Sequence, residues 1–231
     1  MSAKSDILAS VRAAIAQSQP AAPEPAIVRD YVVEGAEPAG SDTVVAQLVE
    51  TLEDYHAHVS VVTEEEAGGA IDDFLEQVGA RTVVVPQGLR QEWKDAAGGQ
   101  IGRGRGKRRS EPREVREDSL GTPVDKEDLA VIDAVVTASR TAISPTGTIV
   151  LDGQPDQGRR IITLLPDVHV CVVAASAIEP TVPQAVALLG EHPERPMTWV
   201  AGPSATSDIE LVRVDGVHGP RQLCVVIVRD L

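Results

Sequence analysis

The sequence predicts an α/β fold, a mostly parallel sheet flanked by helices, and three observations predict it. From Asp42 onward, helical and strand-like segments alternate at the spacing of right-handed βαβ units. Hydrophobic residues make up 42% of the 231 positions but aromatic residues only 2%, so the core must be aliphatic, as in parallel sheets covered on both faces. The run "VHVCVV", Val168 to Val173, lacks the alternation of a half-exposed strand and is expected at the centre of the sheet.

The elements follow in order. Residues 5 to 17 place Ile7, Leu8, Val11, Ala14 and Ile15 at helical intervals, with Ser5 or Asp6 available as a cap. "QPAAPEPAIV", Gln19 to Val28, has three prolines in six positions, which excludes regular structure and predicts an extended arm. The chain therefore divides into an N-terminal helix and arm over 1–30 and a single domain over 31–231. Within that domain "DTVVAQLVETLEDYHA" reads as a helix, "HVSVV" as a strand, "EEEAGGAIDDFLEQVG" as a helix and "RTVVVP" as a strand. Gly98 to Ser119 breaks the rhythm with five basic residues between Arg103 and Arg109, interleaved with glycine and followed by Glu111, Glu114, Glu117 and Asp118. Like charge and flexible backbone oppose packing, so residues 98–119 are expected to form a flexible, solvated loop rather than a nucleic-acid clamp. The alternation resumes with a helical turn and strand in "DLAVIDAVVTAS", a strand in "TGTIVLDG", and the central strand after Pro166 and Asp167. "TVPQAVALLGEH" is a helix with Pro183 in its first turn, and "MTWVAG" and "QLCVVIV" are the last strands.

Composition limits the function. Thirty-five acidic against 21 basic residues give a formal charge of −14, which repels phosphate backbones and anionic lipid, so neither nucleic acid nor membrane is an expected partner. No apolar run reaches the roughly 18–20 residues that span a bilayer, and the amphipathic N-terminus is not a secretory signal; the expected location is cytoplasmic. The two cysteines, Cys171 and Cys224, both lie in strand-like runs, and the close Cys spacing of a zinc site or cubane cluster is missing. His56, His58 and His169 share no metal-motif spacing with a carboxylate, and His169, inside an apolar run, reads as a hydrogen-bonded core histidine. No metal is expected. Walker, GxGxxG and GxSxG loops are absent as well.

Three stretches carry residues suited to anions, expected on loops at the carboxyl ends of strands. "SPTGTIV" offers Thr146, Gly147 and Thr148 as an anion-binding nest, although Thr-Gly-Thr also makes ordinary hairpin turns. "AGPSATSDIE" offers Gly202, Ser204, Thr206 and Ser207 ahead of Asp208, where a short helix would present hydroxyls and unpaired N–H groups; plain helix capping uses the same residues. "VDGVHGPRQ" sets His218 among turns with Gly219, and Arg221 can fork a carboxylate. Asp208 and His218 are the candidate acid and base.

Taken in order, "TGTIVL", "LLPDVHVCVV" and "GPSATSDIELVRVDGVHGPRQL" resemble the LUD-domain family, closely over the C-terminal half. The resemblance implies a fold like the ribose-5-phosphate isomerase, glucosamine-6-phosphate deaminase and CoA-transferase group. It also implies a part in oxidation of L-lactate to pyruvate alongside iron-sulfur partner proteins, with no cofactor on this chain. Relatives often carry an acidic residue before the Thr-Gly-Thr turn where this sequence has Ser144 and Pro145, which removes a carboxylate nucleophile from that position. The leading expectation is a non-redox subunit binding a small anionic or carboxylate ligand. A stand-alone isomerase, deaminase or transferase on a sugar phosphate or CoA ester and a non-catalytic adaptor remain the alternatives, and the oligomeric state, a homo-oligomer included, stays open.

Overall fold

In the computed structural model the described residues are 3–17, 27–28, 30–100, 111–206, 214–215 and 219–231. The chain separates into two compact units, Met1–Tyr31 and Val32–Leu231. In the first, α1 (Ala3–Gln17) has the helical apolar spacing read from the sequence, and Ile7, Leu8, Val11 and Ile15 are all exposed.

The second unit begins with α2 (Asp42–Asp54), whose N-terminus is capped by Ser41, the side chain accepting from the Val44 N–H. Strand β1 (His58–Val62) follows, then α3 (Glu64–Gln77), where the Glu66 carboxylate reaches back to the Thr63 N–H at 3.1 Å in a capping box. Next come β2 (Thr82–Pro86), α4 (Gln91–Ala97), β3 (Glu114–Asp118), α5 (Lys126–Leu129), β4 (Ala134–Thr137), β5 (Thr141–Ile143), β6 (Thr148–Leu151), β7 (Val168–Ala174) and β8 (Ile178–Glu179). The chain closes with α6 (Val182–Leu189), β9 (Thr198–Ala201), β10 (Ala205–Thr206), β11 (Val214–Asp215) and β12 (Gln222–Val228). Thr181 caps α6 and Pro183 sits in its first turn, where no intrahelical donor is lost.

Six strands form a wholly parallel sheet in the order β1-β12-β7-β4-β2-β3. The unbroken apolar run becomes β7, third in that order and buried along its first six residues. Period-two alternation sends its side chains to two cores. Val170 and Val172 join Val83, Val85, Val226 and Val228 under α3 and α4, while Cys171 and Val173 join Val225 and Ile227 under Leu48 and Leu52 of α2.

Not all of the strands join this sheet. β5, β6, β8 and β9 make a separate sheet, order β8-β5-β6-β9, in which β6 pairs antiparallel with both β5 and β9. Its inward residues Ala142, Ile149 and Leu151 share the core of α2. The second face of the parallel sheet is thus covered partly by a sheet, not by helices alone.

The basic stretch also differs from its reading. Residues 101–110 lie outside the described ones, but residues 114–118 are strand β3, the edge of the parallel sheet. Arg113, just before it, is buried and donates from both terminal nitrogens to Asp72 Oδ1 at 2.9 and 2.8 Å, and also to the carbonyls of Asp72, Ala96 and Ala97. A charge inside the protein requires such complete pairing, and composition cannot show that a partner is waiting 41 residues away.

Candidate functional site

The three polar loops converge only in part. Ser144 to Gly147 is the loop of the β5–β6 hairpin, entered as a short 3-10 turn. Its polar groups are largely engaged by α2: Ser144 Oγ donates to Gln47 Oε1 at 2.8 Å, and Thr51 Oγ1 donates to the Ser144 carbonyl at 2.8 Å. Thr146 Oγ1 donates to Thr148 Oγ1 at 2.8 Å. Because Thr148 pairs with Ala201, Gly147 stands opposite Gly202 where the β6–β9 ladder ends. Tyr55 lies against both glycines: a Cβ on Gly202 would come within 2.6 Å of Tyr55 Cβ, and one on Gly147 within 3.3 Å of its ring. Both have positive φ, +75° at Gly202 and +58° at Gly147, so they meet a backbone and a packing demand together.

Gly202, Ser204 and Gly219 do come together. They border a cavity of about 210 Å³ together with Arg160, Thr163, His169 and Trp199. The Ser204 N–H donates to the Pro220 carbonyl at 2.8 Å, which ties the loop after β9 to the one before β12. Thr206 is in β10, paired antiparallel with β11, rather than at a helix start. Arg221 pairs with Asp167 through both carboxylate oxygens, an exposed pair that closes the turn into β12 and occupies the fork read as a ligand contact. Asp208 and His218 lie outside the described residues. Thr146, Gly147 and Thr148 adjoin the cavity's Gly202 corner through the ladder without lining it.

The cavity's position differs from the expected one. His169 and Leu223 are the second residues of β7 and β12, so this hollow is at the amino ends of the parallel strands. Gly202 and Ser204 follow β9 of the small sheet, whereas Gly219 precedes β12 of the large one, and strand assignment alone does not reveal this.

Three residues of the cavity were not read as ligand groups. Arg160 and Thr163 come from the 3-10 turn Arg160–Thr163, where Arg160 donates to Thr163 Oγ1 at 3.0 Å. Among the described residues Arg160 has no carboxylate partner, whereas its neighbour Arg159 is paired with Asp118. His169 is buried, as its apolar setting predicts, with Nε2 2.8 Å from Thr137 Oγ1. Burial and then the nearby charge of Arg160 lower its pKa to about 4, so the imidazole is neutral at physiological pH. Among the described residues the arrangement is a cation with no counter-ion beside hydroxyls and a neutral imidazole, able to hold a small carboxylate by a charge-assisted hydrogen bond.

A second hollow, of about 800 Å³, lies where the chain leaves β2 and β3; Gln87, Gly88 and Ser119 to Gly121 border it. Arg160 and Thr163 line both cavities.

The cysteines do not fit a metal cluster. Both are buried, and burial pushes each thiol up to about 12, against the thiolate that metal ligation needs. Cys171 packs in the core under α2 and Cys224 in the core under α3 and α4, on opposite faces of the sheet.

A parallel sheet backed by a small mixed one, with a polar hollow at strand ends, makes this an α/β domain. The LUD domain model matches residues 45–228, and the chain belongs to that family. It is 40% identical over 228 residues to lactate utilization protein C of Deinococcus radiodurans, covering 98% of this chain and 95% of that one. It is 30% identical over 197 residues to the protein of the same name from Halalkalibacterium halodurans, covering 82% and 81%. The crystal structure of a DUF162 family protein from Deinococcus radiodurans superposes with a TM-score of 0.63 at 35% identity, over 80% of this chain and 96% of the other.

Proposed function

We propose that this chain serves lactate utilization as a non-redox subunit, acting with iron-sulfur partner proteins in the oxidation of L-lactate to pyruvate. The names of its relatives support the lactate role. The oxidation removes two electrons and two protons from lactate, and the electrons go to clusters on the partners. Two buried, protonated thiols on opposite sheet faces support placing those clusters elsewhere. What this chain contributes is a seat for the carboxylate, and Arg160 carries that reading: a guanidinium without a carboxylate partner among the described residues, in a cavity of about 210 Å³ that suits a small acid rather than a large cofactor. Thr163, Ser204 and neutral His169 complete the wall.

Titration with L-lactate, followed by calorimetry and by the fluorescence of Trp199 in the cavity wall, tests the site. Arg160→Leu is expected to weaken binding at least ten-fold while leaving the urea midpoint in place. Unchanged binding in that variant refutes the site, and absence of lactate-dependent electron transfer when the chain is combined with its cluster-bearing partners refutes the subunit role.

A further inference from the structure

We propose that the larger cavity is a second binding site, for an elongated organic carboxylate with an apolar body. It opens at the carboxyl ends of β2 and β3, the edge where parallel sheets expose loop backbone and hold ligands. Its volume of about 800 Å³ falls in the range of small-molecule sites and far exceeds what a three-carbon acid fills. Apolar side chains gather there: Leu120 is 89% exposed and Met197 38%, and with Leu151 and Pro196 they form one surface that an apolar body would cover.

Charge decides the headgroup. Asp118 is saturated: Arg159 binds both its oxygens, and the Val124 N–H donates to Oδ1 at 2.9 Å. That pair offers nothing to a ligand of either sign. Among the described residues Arg160 is left as the single uncompensated charge on the cavity wall, with the Thr163 hydroxyl beside it, which matches the one charge of a carboxylate better than a phosphate dianion. A separate observation places a hydrogen-bond acceptor along the body. Gln157, 2% exposed, borders the cavity; its Oε1 accepts from the N–H groups of Asp152 and Gly153 at 2.6 and 3.1 Å, and its Nε2 has no hydrogen-bond acceptor within 3.5 Å among the described residues, the nearby Asp152 carboxylate feeling it less than it feels Arg195 and Gln154. Buried amide donors are almost always satisfied, and a ligand carbonyl would give this one a full hydrogen bond.

The site shares Arg160 and Thr163 with the smaller cavity, but the inference does not require that lactate bind there. The probe is N-octanoylglycine, which carries a carboxylate, an amide carbonyl and an apolar tail. Its uncharged twin is N-octanoylglycinamide, and L-lactate supplies a headgroup without a body. Calorimetry on the full chain is expected to show the acid binding at least ten-fold tighter than the amide. Leu120→Asp combined with Met197→Asp, both at exposed positions, is expected to weaken the acid at least ten-fold and leave L-lactate unaffected, and Gln157→Leu to weaken the acid several-fold. Equal affinity for acid and amide, no binding of the acid, or acid binding indifferent to the double variant overturns the proposal. Failure of L-lactate to bind, with the acid still bound and sensitive to the double variant, removes the lactate seat and leaves this site standing.

Discussion

His169 makes the stability of this protein depend on pH in a way that can be isolated. In the unfolded chain its imidazole titrates near 6.5, and in the folded protein near 4, because burial first and the charge of Arg160 second disfavour the cation. The folded pKa lies below the unfolded one, so as pH falls the unfolded chain takes up the proton first. The stability linked to this group is intact above about pH 6.5 and is lost as pH drops toward 4. The linkage relation then gives a loss of about 2 kcal/mol by pH 5 and roughly 3 kcal/mol by pH 4. Many carboxylates also titrate on the way down, so the comparison is with His169→Gln, whose amide can keep a hydrogen bond to Thr137 without titrating. Urea unfolding of both proteins at pH 7 and pH 5 should show the wild type losing about 2 kcal/mol more than the variant. Parallel pH dependence in the two, or an imidazole proton resonance of His169 titrating near 6.5 in the folded protein, refutes the argument.

Two further outcomes follow from packing. Arg113→Met leaves Asp72 buried without its guanidinium and should cost about 3–5 kcal/mol in urea unfolding, and Asp72→Leu should cost a similar amount; the double variant should cost clearly less than the sum. Strict additivity would mean that the pair is not a unit. Gly202→Ala should destabilise by more than about 1 kcal/mol, since the new Cβ meets Tyr55 and the backbone is left-handed. Tyr55→Ala in the same chain should return the packing share and not the backbone share, and no recovery at all would show that the clash is irrelevant.

Helices and strands could be read because their signal is local. α2 carries Val44, Val45, Leu48 and Leu52 at helical spacing after a capping serine, and β7 is apolar from end to end; both formed where expected. The short β5 and β8 were not read, being three and two residues long and held by partners distant in sequence. β3 was hidden in a charged stretch because an edge strand needs no apolar alternation once one neighbour supplies its ladder. In the small cavity, Gly202, Ser204 and Gly219 were legible as glycine- and hydroxyl-bearing turns. Arg160 was not. What distinguishes it from Arg159 is that a carboxylate 41 residues away reaches Arg159, while Arg160 has no carboxylate partner among the described residues.

From its residues alone this chain determined an α/β class, an aliphatic core and the places where the chain turns, since hydrophobic period, caps and glycine act over a few residues. Only the tertiary structure decided that β12 inserts between β1 and β7, that four strands leave to form a second sheet, and that Arg113 is buried and paired while Arg160 meets no carboxylate among the described residues. These depend on which distant segments bury each other's surface and cancel each other's charge, quantities that no local window of sequence contains.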